Sequence, residues 1–253
     1  MKDRHIQPAA LAAALSGRQS LLLGFDFDGT LAAFAPTPGR ARLPAATRRM
    51  LAALTRQPGW HVAVLSGRGL ADVRSKVRIP GVCYGGNHGI ELACRRLRWT
   101  HPGARRLRPL FRRCAAEVRA RLRGFPGTLL EFKGFGFSVH YRGMRRHSPR
   151  QLAQAIQDCL KPGLRLVPAK KIWEVRPDLD WDKGRAMLRI ARELGSRGIL
   201  FMGDDATDEE AFRRLRKRAI TVRVGFRGKT TALYRMQGVK AVNRFLAALP
   251  VRS

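Results

Sequence analysis

Acidic side chains are scarce in this chain: 18 Asp and Glu stand against 50 Lys and Arg, giving a formal net charge of +32 over 253 residues. Such an excess attracts anions, whether nucleic acid, acidic membrane surface or phosphorylated substrates. The basic residues are scattered, in pairs such as Arg48-Arg49, Arg105-Arg106, Arg112-Arg113 and Arg213-Arg214, mostly on expected helices. They read as solvated faces, and no RNA- or DNA-binding signature accompanies them, so nucleic acid is expected only through non-specific charge attraction. Cysteine is sparse too. Cys83, Cys94, Cys114 and Cys159 are too few for a disulfide scaffold and form no C-x-x-C pair, which predicts reduced thiols in a cytoplasmic protein. No apolar run approaches the length needed to span a bilayer. The stretch from Pro8 to Leu15, behind Lys2 and Arg4, imitates a signal peptide only weakly because the first core strand follows almost at once; a short amphipathic helix is expected there. His5, His101 and His147 show no metal-ligand spacing.

What is present is an alternation of strands and helices. Hydrophobic content of 45% over this length supports a sizeable core. The run Leu21-Leu22-Leu23 opens a first strand, a helix follows over 44–57, and a second strand over 60–65 ends in Ser66-Gly67-Arg68. A third apolar segment, Val82-Cys83-Tyr84, ends in Gly85-Gly86-Asn87-His88-Gly89. From about residue 95 the texture changes to short paired strands (129–132 with 137–141, 164–167 with 172–175) and two helices (104–122, 149–160). The strand–helix alternation resumes at Lys183. The predicted fold is therefore α/β, a Rossmann-like parallel-sheet core over 1–94 and 178–253, with an α+β domain inserted over 95–177. Asp178, Asp180 and Asp182 crowd the return segment and read as hinge solvation, and Gly228-Lys229-Thr230 reads as a turn, since Arg223 stands where a P-loop needs glycine.

Three strands end in groups suited to phosphate chemistry. The first ends in Phe25-Asp26-Phe27-Asp28-Gly29-Thr30, whose two acids, spaced i and i+2, leave an extended strand on the same side. The second ends at Ser66, and a later strand over 199–202 ends in Gly203-Asp204-Asp205, with Asp208 following. In open parallel sheets, ligands bind outside the carboxyl ends of the strands, so these endings should converge. Two acids at one strand end repel unless a cation or a proton relay needs both. Lys183, at an expected helix start, offers an ammonium and helix amides to an anion.

These residues, in this order, resemble the four motifs of the haloacid dehalogenase superfamily. The resemblance spans the whole chain and implies a Mg²⁺-dependent phosphohydrolase working through an aspartyl-phosphate, with the inserted block as its cap domain. Asp26 would be nucleophile and metal ligand. Asp28 would be the acid and base of the two half-reactions, with its backbone carbonyl on the metal. Asp204 would be a direct ligand, with Asp205 and Asp208 holding the metal or its waters. Ser66 and Lys183 would bind phosphate oxygens, with Thr30 beside them.

Finer features are similar to the trehalose-6-phosphate phosphatase family: Leu65-Ser66-Gly67-Arg68, Gly86-Asn87-His88-Gly89, Glu131-Phe-Lys133, Val139-His140-Tyr141-Arg142 and Glu174-Val-Arg176-Pro177. The resemblance implies a phosphorylated disaccharide as substrate. It places Arg68, Asn87 and His88 beside the substrate in the core and Glu131, Lys133, Arg142 and Glu174 on the sugar in the cap. A sugar phosphatase of sucrose-phosphate or glucosylglycerate-phosphate type, or a basic binding module with a vestigial site, are the alternatives. A monomer or weak oligomer is expected.

Overall fold

The computed structural model describes residues 4–250, apart from 36, 96, 170 and 227; Lys2 lies outside the described residues. The chain runs α1 (Pro8–Ser16), β1 (Leu21–Asp26), α2 (Ala45–Leu54), β2 (Trp60–Leu65), α3 (Leu70–Val77), β3 (Cys83–Gly86), β4 (Glu91–Cys94) and β5 (Leu97–Thr100). It continues through α4 (Pro102–Arg121), β6 (Leu129–Phe132), β7 (Phe137–His140), α5 (Pro149–Gln157), β8 (Leu164–Ala169) and β9 (Ile172–Pro177). It closes with α6 (Lys183–Glu193), β10 (Gly198–Gly203), α7 (Ala206–Leu215), β11 (Ile220–Val224), β12 (Tyr234–Met236) and α8 (Gly238–Ala248). Two units result, Met1–Trp99 with Trp181–Ser253, and Thr100–Asp180. The sequence pattern places the insertion at 95–177; the second unit instead begins at Thr100, since β5 continues the large sheet beside β4.

The first unit holds an eight-stranded sheet in the order β12-β11-β10-β1-β2-β3-β4-β5. The six strands from β12 to β3 pair in parallel, and β4 turns back antiparallel on β3. β1 is buried along its whole length because helices cover both faces of the sheet. Alternate residues serve opposite layers. Leu21, Leu23, Phe25, Val62, Val64, Leu200 and Met202 pack with Leu15 of α1, Leu51 of α2, Val73 of α3 and Phe245 of α8. Leu22, Ala63, Leu65 and Phe201 pack with Met187 and Ile190 of α6 and with Phe212 of α7. This period of two on a sheet covered twice fixes which residues remain to face outward only at the strand ends.

The second unit is an antiparallel four-stranded sheet, β6-β7-β9-β8. Phe137, Val139 and Val175 of its central strands form a core with Phe111, Cys114 and Val118 of α4 and Leu152 and Ile156 of α5.

One expectation is corrected. Cys83 and Cys94 are joined by a disulfide, with Cα atoms 4.2 Å apart. The β3–β4 hairpin pairs Tyr84 with Ala93, which sets the two cysteines directly across from each other. Only Cys114 and Cys159 are free thiols, both buried. The sequence reading missed the pair because β4 is a four-residue strand just after a glycine-rich turn. Among the described residues, no helix is long and apolar enough to cross a membrane.

Candidate active site

Parallel pairing brings the polar strand ends together. Asp26, the last residue of β1, lies opposite Leu65 of β2, so Ser66 follows just beyond; on the other side Phe25 pairs with Met202, setting Asp26 beside Gly203 and Asp204. After Asp26 the chain turns sharply, with the Gly29 amide donating to the Ala32 carbonyl at 2.7 Å. Gly29 has φ +90°, and a side chain there would collide with the Asp204 carboxylate. Only glycine lets the turn come so close. Thr30 Oγ1 donates to Asp204 Oδ1 at 3.2 Å.

Lys183 is the first residue of α6 and is almost wholly buried. Its Nζ donates to Asp26 Oδ1 at 2.7 Å and to Asp208 Oδ1 at 2.8 Å. The other oxygen of Asp208 accepts the backbone amides of Asp204 and Asp205, at 2.9 and 3.1 Å. Asp208 thus ties the Asp204 loop to the lysine. Asp205 does something else. It is the N-cap of α7, accepting from the Thr207 and Asp208 amides, and its carboxylate is spent on that helix rather than on the acidic cluster.

The three carboxylates that do gather are Asp26, Asp204 and Asp208, whose oxygens lie within 4.8 Å of one another. Burial holds the Asp26 carboxyl well above its usual range; Lys183 pulls it down, while Asp208, Asp204 and Asp205 push it up again. Burial, with Asp208 and Asp205, raises Asp204 to about 8. Burial also lifts Asp208, to about 6, against the pull of Lys183. For Asp205 burial is outweighed by Lys183 and the bond from Thr207, and it falls to about 2. Burial opposes the Lys183 charge, but Asp208 and Asp26 outweigh it and hold the ammonium well above its ordinary range. One ammonium cannot balance these acids, so the raised carboxyls hold protons that a cation could replace. Oxygen donors in this number and crowding fit a hard divalent cation.

The loops after β2 and β3 interlock. The Asn87 amide donates to the Arg68 carbonyl at 2.7 Å and the His88 amide to the Ser66 carbonyl at 2.8 Å. Asn87 and His88 both take left-handed backbone angles, φ 49° and 58°. Asn87 Nδ2 donates to Glu91 at 2.7 Å. Ser66 is buried and its Oγ accepts the Arg68 amide at 3.2 Å. The Arg68 guanidinium grips the Asp28 carboxylate with two bonds, Nε to Oδ2 at 2.7 Å and Nη2 to Oδ1 at 2.8 Å. The Asp28 side chain is thus engaged by Arg68 and is not one of the three carboxylates that gather.

In the second unit, strand register lines up Glu131 with Ser138 and Ser138 with Glu174. Directly paired residues share a face, and this face is opposite the Phe137, Val139 and Val175 core. Glu174 accepts from Lys133 Nζ at 3.2 Å, Ser138 Oγ at 3.3 Å and Arg176 Nε at 2.8 Å. Glu131 is bonded to His140 Nε2 at 2.9 Å. Arg142 is exposed just past β7.

Sequence reasoning missed several supports. Asp182, read as hinge solvation, is 7% exposed; it caps α6 by accepting the Arg185 amide at 3.0 Å and pairs with Arg214 at 3.1 Å. An Asp just before a helix start was the available signal. Asp72 holds Arg68 from four residues away on α3, and Arg176 shares a strand face with Glu174 at i+2.

Solved structures of this architecture include the C-terminal domain of trehalose-6-phosphate phosphatase from C. albicans, with TM-score 0.82, 21% identity and 98% of each chain covered. A haloacid dehalogenase-like hydrolase from Bacteroides thetaiotaomicron matches with TM-score 0.62 at 14% identity, over 90% of this chain and 98% of that one. The fold is that of the haloacid dehalogenase-like hydrolases. More closely, the family model described as trehalose-phosphatase matches residues 24–240, and the chain belongs to that family. The trehalose-phosphate phosphatase of Mycobacterium tuberculosis is 39% identical over 215 residues, 82% of this chain and 54% of that protein. That of Mycobacterium marinum is 33% identical over 265 residues, 98% of this chain and 67% of that protein. The chain thus spans about half to two thirds of the length of these curated relatives.

Proposed function

We propose that the chain is a phosphatase that releases phosphate from trehalose 6-phosphate, with Mg²⁺ as its metal and Asp26 as its nucleophile. The observation that carries this reading is the placement of Asp26 at the end of β1, within 4.8 Å of oxygens of Asp204 and Asp208. The Lys183 ammonium sits on the same Asp26 carboxylate. Family membership supports the substrate, as does the polar row Glu131, Ser138 and Glu174 on one face of the second unit's sheet.

Mg²⁺ held by Asp26, Asp204 and Asp208 supplies the charge neutralisation that lets a carboxylate approach a phosphate dianion. Lys183 and Ser66 bind phosphate oxygens. An Asp26 oxygen attacks phosphorus, the bond from phosphorus to the sugar oxygen breaks, and Asp28 gives its proton to that oxygen. Asp28 then takes a proton from water as the water oxygen attacks the phosphorus of the aspartyl-phosphate. The bond to Asp26 breaks, phosphate leaves, and both acids return to their starting states. Glu131, Lys133, Arg142 and Glu174 serve the sugar hydroxyls, and Thr30, Asn87 and His88 line the core side.

The test is a panel of trehalose, sucrose and glucosylglycerate phosphates, each with Mg²⁺ and with chelator. Preferential, metal-dependent release from trehalose 6-phosphate is expected. Equal turnover of all three would leave a general sugar phosphatase.

A further inference from the structure

Three of the five N–H groups of Arg68 are engaged by carboxylates in this arrangement. Two of its nitrogens grip both oxygens of Asp28, and Nη1 donates to Asp72 Oδ2 at 2.7 Å. The Cζ of the guanidinium lies over the Phe27 ring, 5.5 Å from its centroid. The residue is 7% exposed. A planar fork that engages both oxygens fixes the rotation of a carboxylate as well as its place, which a single ammonium cannot do. The backbone of the same residue links neighbouring loops, its amide to Ser66 Oγ at 3.2 Å and its carbonyl to the Asn87 amide at 2.7 Å.

We propose that Arg68 is a positioning residue that sets the orientation of Asp28 for proton delivery to the leaving sugar oxygen, with Asp72 bracing it, and that it is not a ligand of the substrate. This rests on the reading of Asp28 as the proton carrier. A bidentate phosphate or sugar contact through the Nε and Nη2 hydrogens that hold Asp28 would require the fork to open. The nearer role is mechanical: Asp72 in the first turn of α3 holds the guanidinium, and the guanidinium holds a carboxylate that sits on a turn.

A poor leaving group needs the proton from Asp28, whereas nitrophenolate leaves without one. The experiment therefore compares kcat/KM, which reports phosphorylation of Asp26, on trehalose 6-phosphate and on p-nitrophenyl phosphate. The variants are Arg68→Ala, Arg68→Lys, Asp72→Asn and Asp28→Asn, each checked for an intact melting transition. Asp28→Asn should depress the sugar phosphate by about a hundredfold or more, and the aryl phosphate far less. Arg68→Ala should shift the ratio the same way by about tenfold or more, leaving the inhibition constant of inorganic phosphate unchanged. Arg68→Lys should recover it only in part, and Asp72→Asn, which still tests the brace if Arg68→Ala does not fold, should shift it slightly. If Arg68→Ala lowers both substrates equally, or weakens phosphate inhibition while Asp28→Asn still discriminates, Arg68 is a ligand and the inference is overturned. If Asp28→Asn does not discriminate, the acid and base reading fails and takes the inference with it.

Discussion

The two units solve opposite problems with polar groups. In the first, Asp26, Lys183 and Asp208 are buried where parallel strands end, and each is held by partners distant in sequence. In the second, Glu131 and Glu174 stand on an antiparallel sheet face, within reach of cations and a hydroxyl on adjacent strands. A buried cluster of acids can be satisfied in few ways, so it is rigid and suited to one reaction centre. The row on the second unit's sheet face is tied by pairwise bonds between side chains, with Ser138 and Glu174 buried and Glu131 half-buried, which suits the choice of sugar. The comparison predicts that chemistry and selectivity separate along the boundary between the units.

The largest effects should come from the first unit. Asp26→Asn should lower phosphate release by more than about a thousandfold on every substrate, sugar or aryl, with the fold retained. Lys183→Met should also abolish turnover, and it leaves buried carboxylates without their cation. Its unfolding free energy, measured in urea without metal, should drop by about 3–5 kcal/mol. A drop confined to a few tenths would mean that Lys183 does not balance the cluster.

Glu174→Ala should act on selectivity in the kinetics and should also lower stability, since it and its partner Arg176 are buried. It leaves Lys133 and Arg176 side by side without their shared carboxylate. The expected result is a loss of about tenfold or more in kcat/KM for trehalose 6-phosphate, with p-nitrophenyl phosphate little changed. Equal losses on both substrates would erase the distinction between the units.

The acidic cluster should also make stability depend on pH and metal together. Asp204 and Asp208, near 8 and 6, lie above the ordinary carboxylate value of 3.8, so the folded metal-free protein keeps protons that the unfolded chain releases. Its stability is therefore greatest below about pH 4 as far as these groups are concerned, and is lost as pH rises through 6 towards 8. A divalent cation must displace those protons, so saturating Mg²⁺ should raise Tm more at pH 8 than at pH 6. Equal shifts at the two pH values would place the metal elsewhere. The smallest effect is expected from Asp182→Ala, which removes the cap that starts α6 at Lys183. It should cost about 1 kcal/mol in urea unfolding, with Asp182→Asn costing less.

The converging strand ends were legible because the apolar runs that end in Asp26, Ser66 and Asp204 carry the strand signal and the polar ending in a few consecutive residues. Asp205 was not separable from Asp204 in sequence. Its role is decided by extended backbone angles, φ −117° and ψ −174°, which make it the helix cap. The Cys83–Cys94 bond was hidden for a related reason. Nothing in Glu91-Leu92-Ala93-Cys94 announces a strand until β3 is there to pair with it, and the three-residue β12 escaped notice likewise. Glu131, Ser138 and Glu174 align only through register, which no single segment encodes. Residues whose roles follow from local pattern could be read; those whose roles follow from pairing needed the fold.

The central claim is that Asp26, within its acidic cluster, attacks trehalose 6-phosphate. Phosphate release from that compound in Mg²⁺, measured for the intact chain beside its Asp26→Asn variant, tests it most directly. The account predicts release by the first and none by the second. Equal release by both, or none by an intact chain with a normal melting transition, would contradict it.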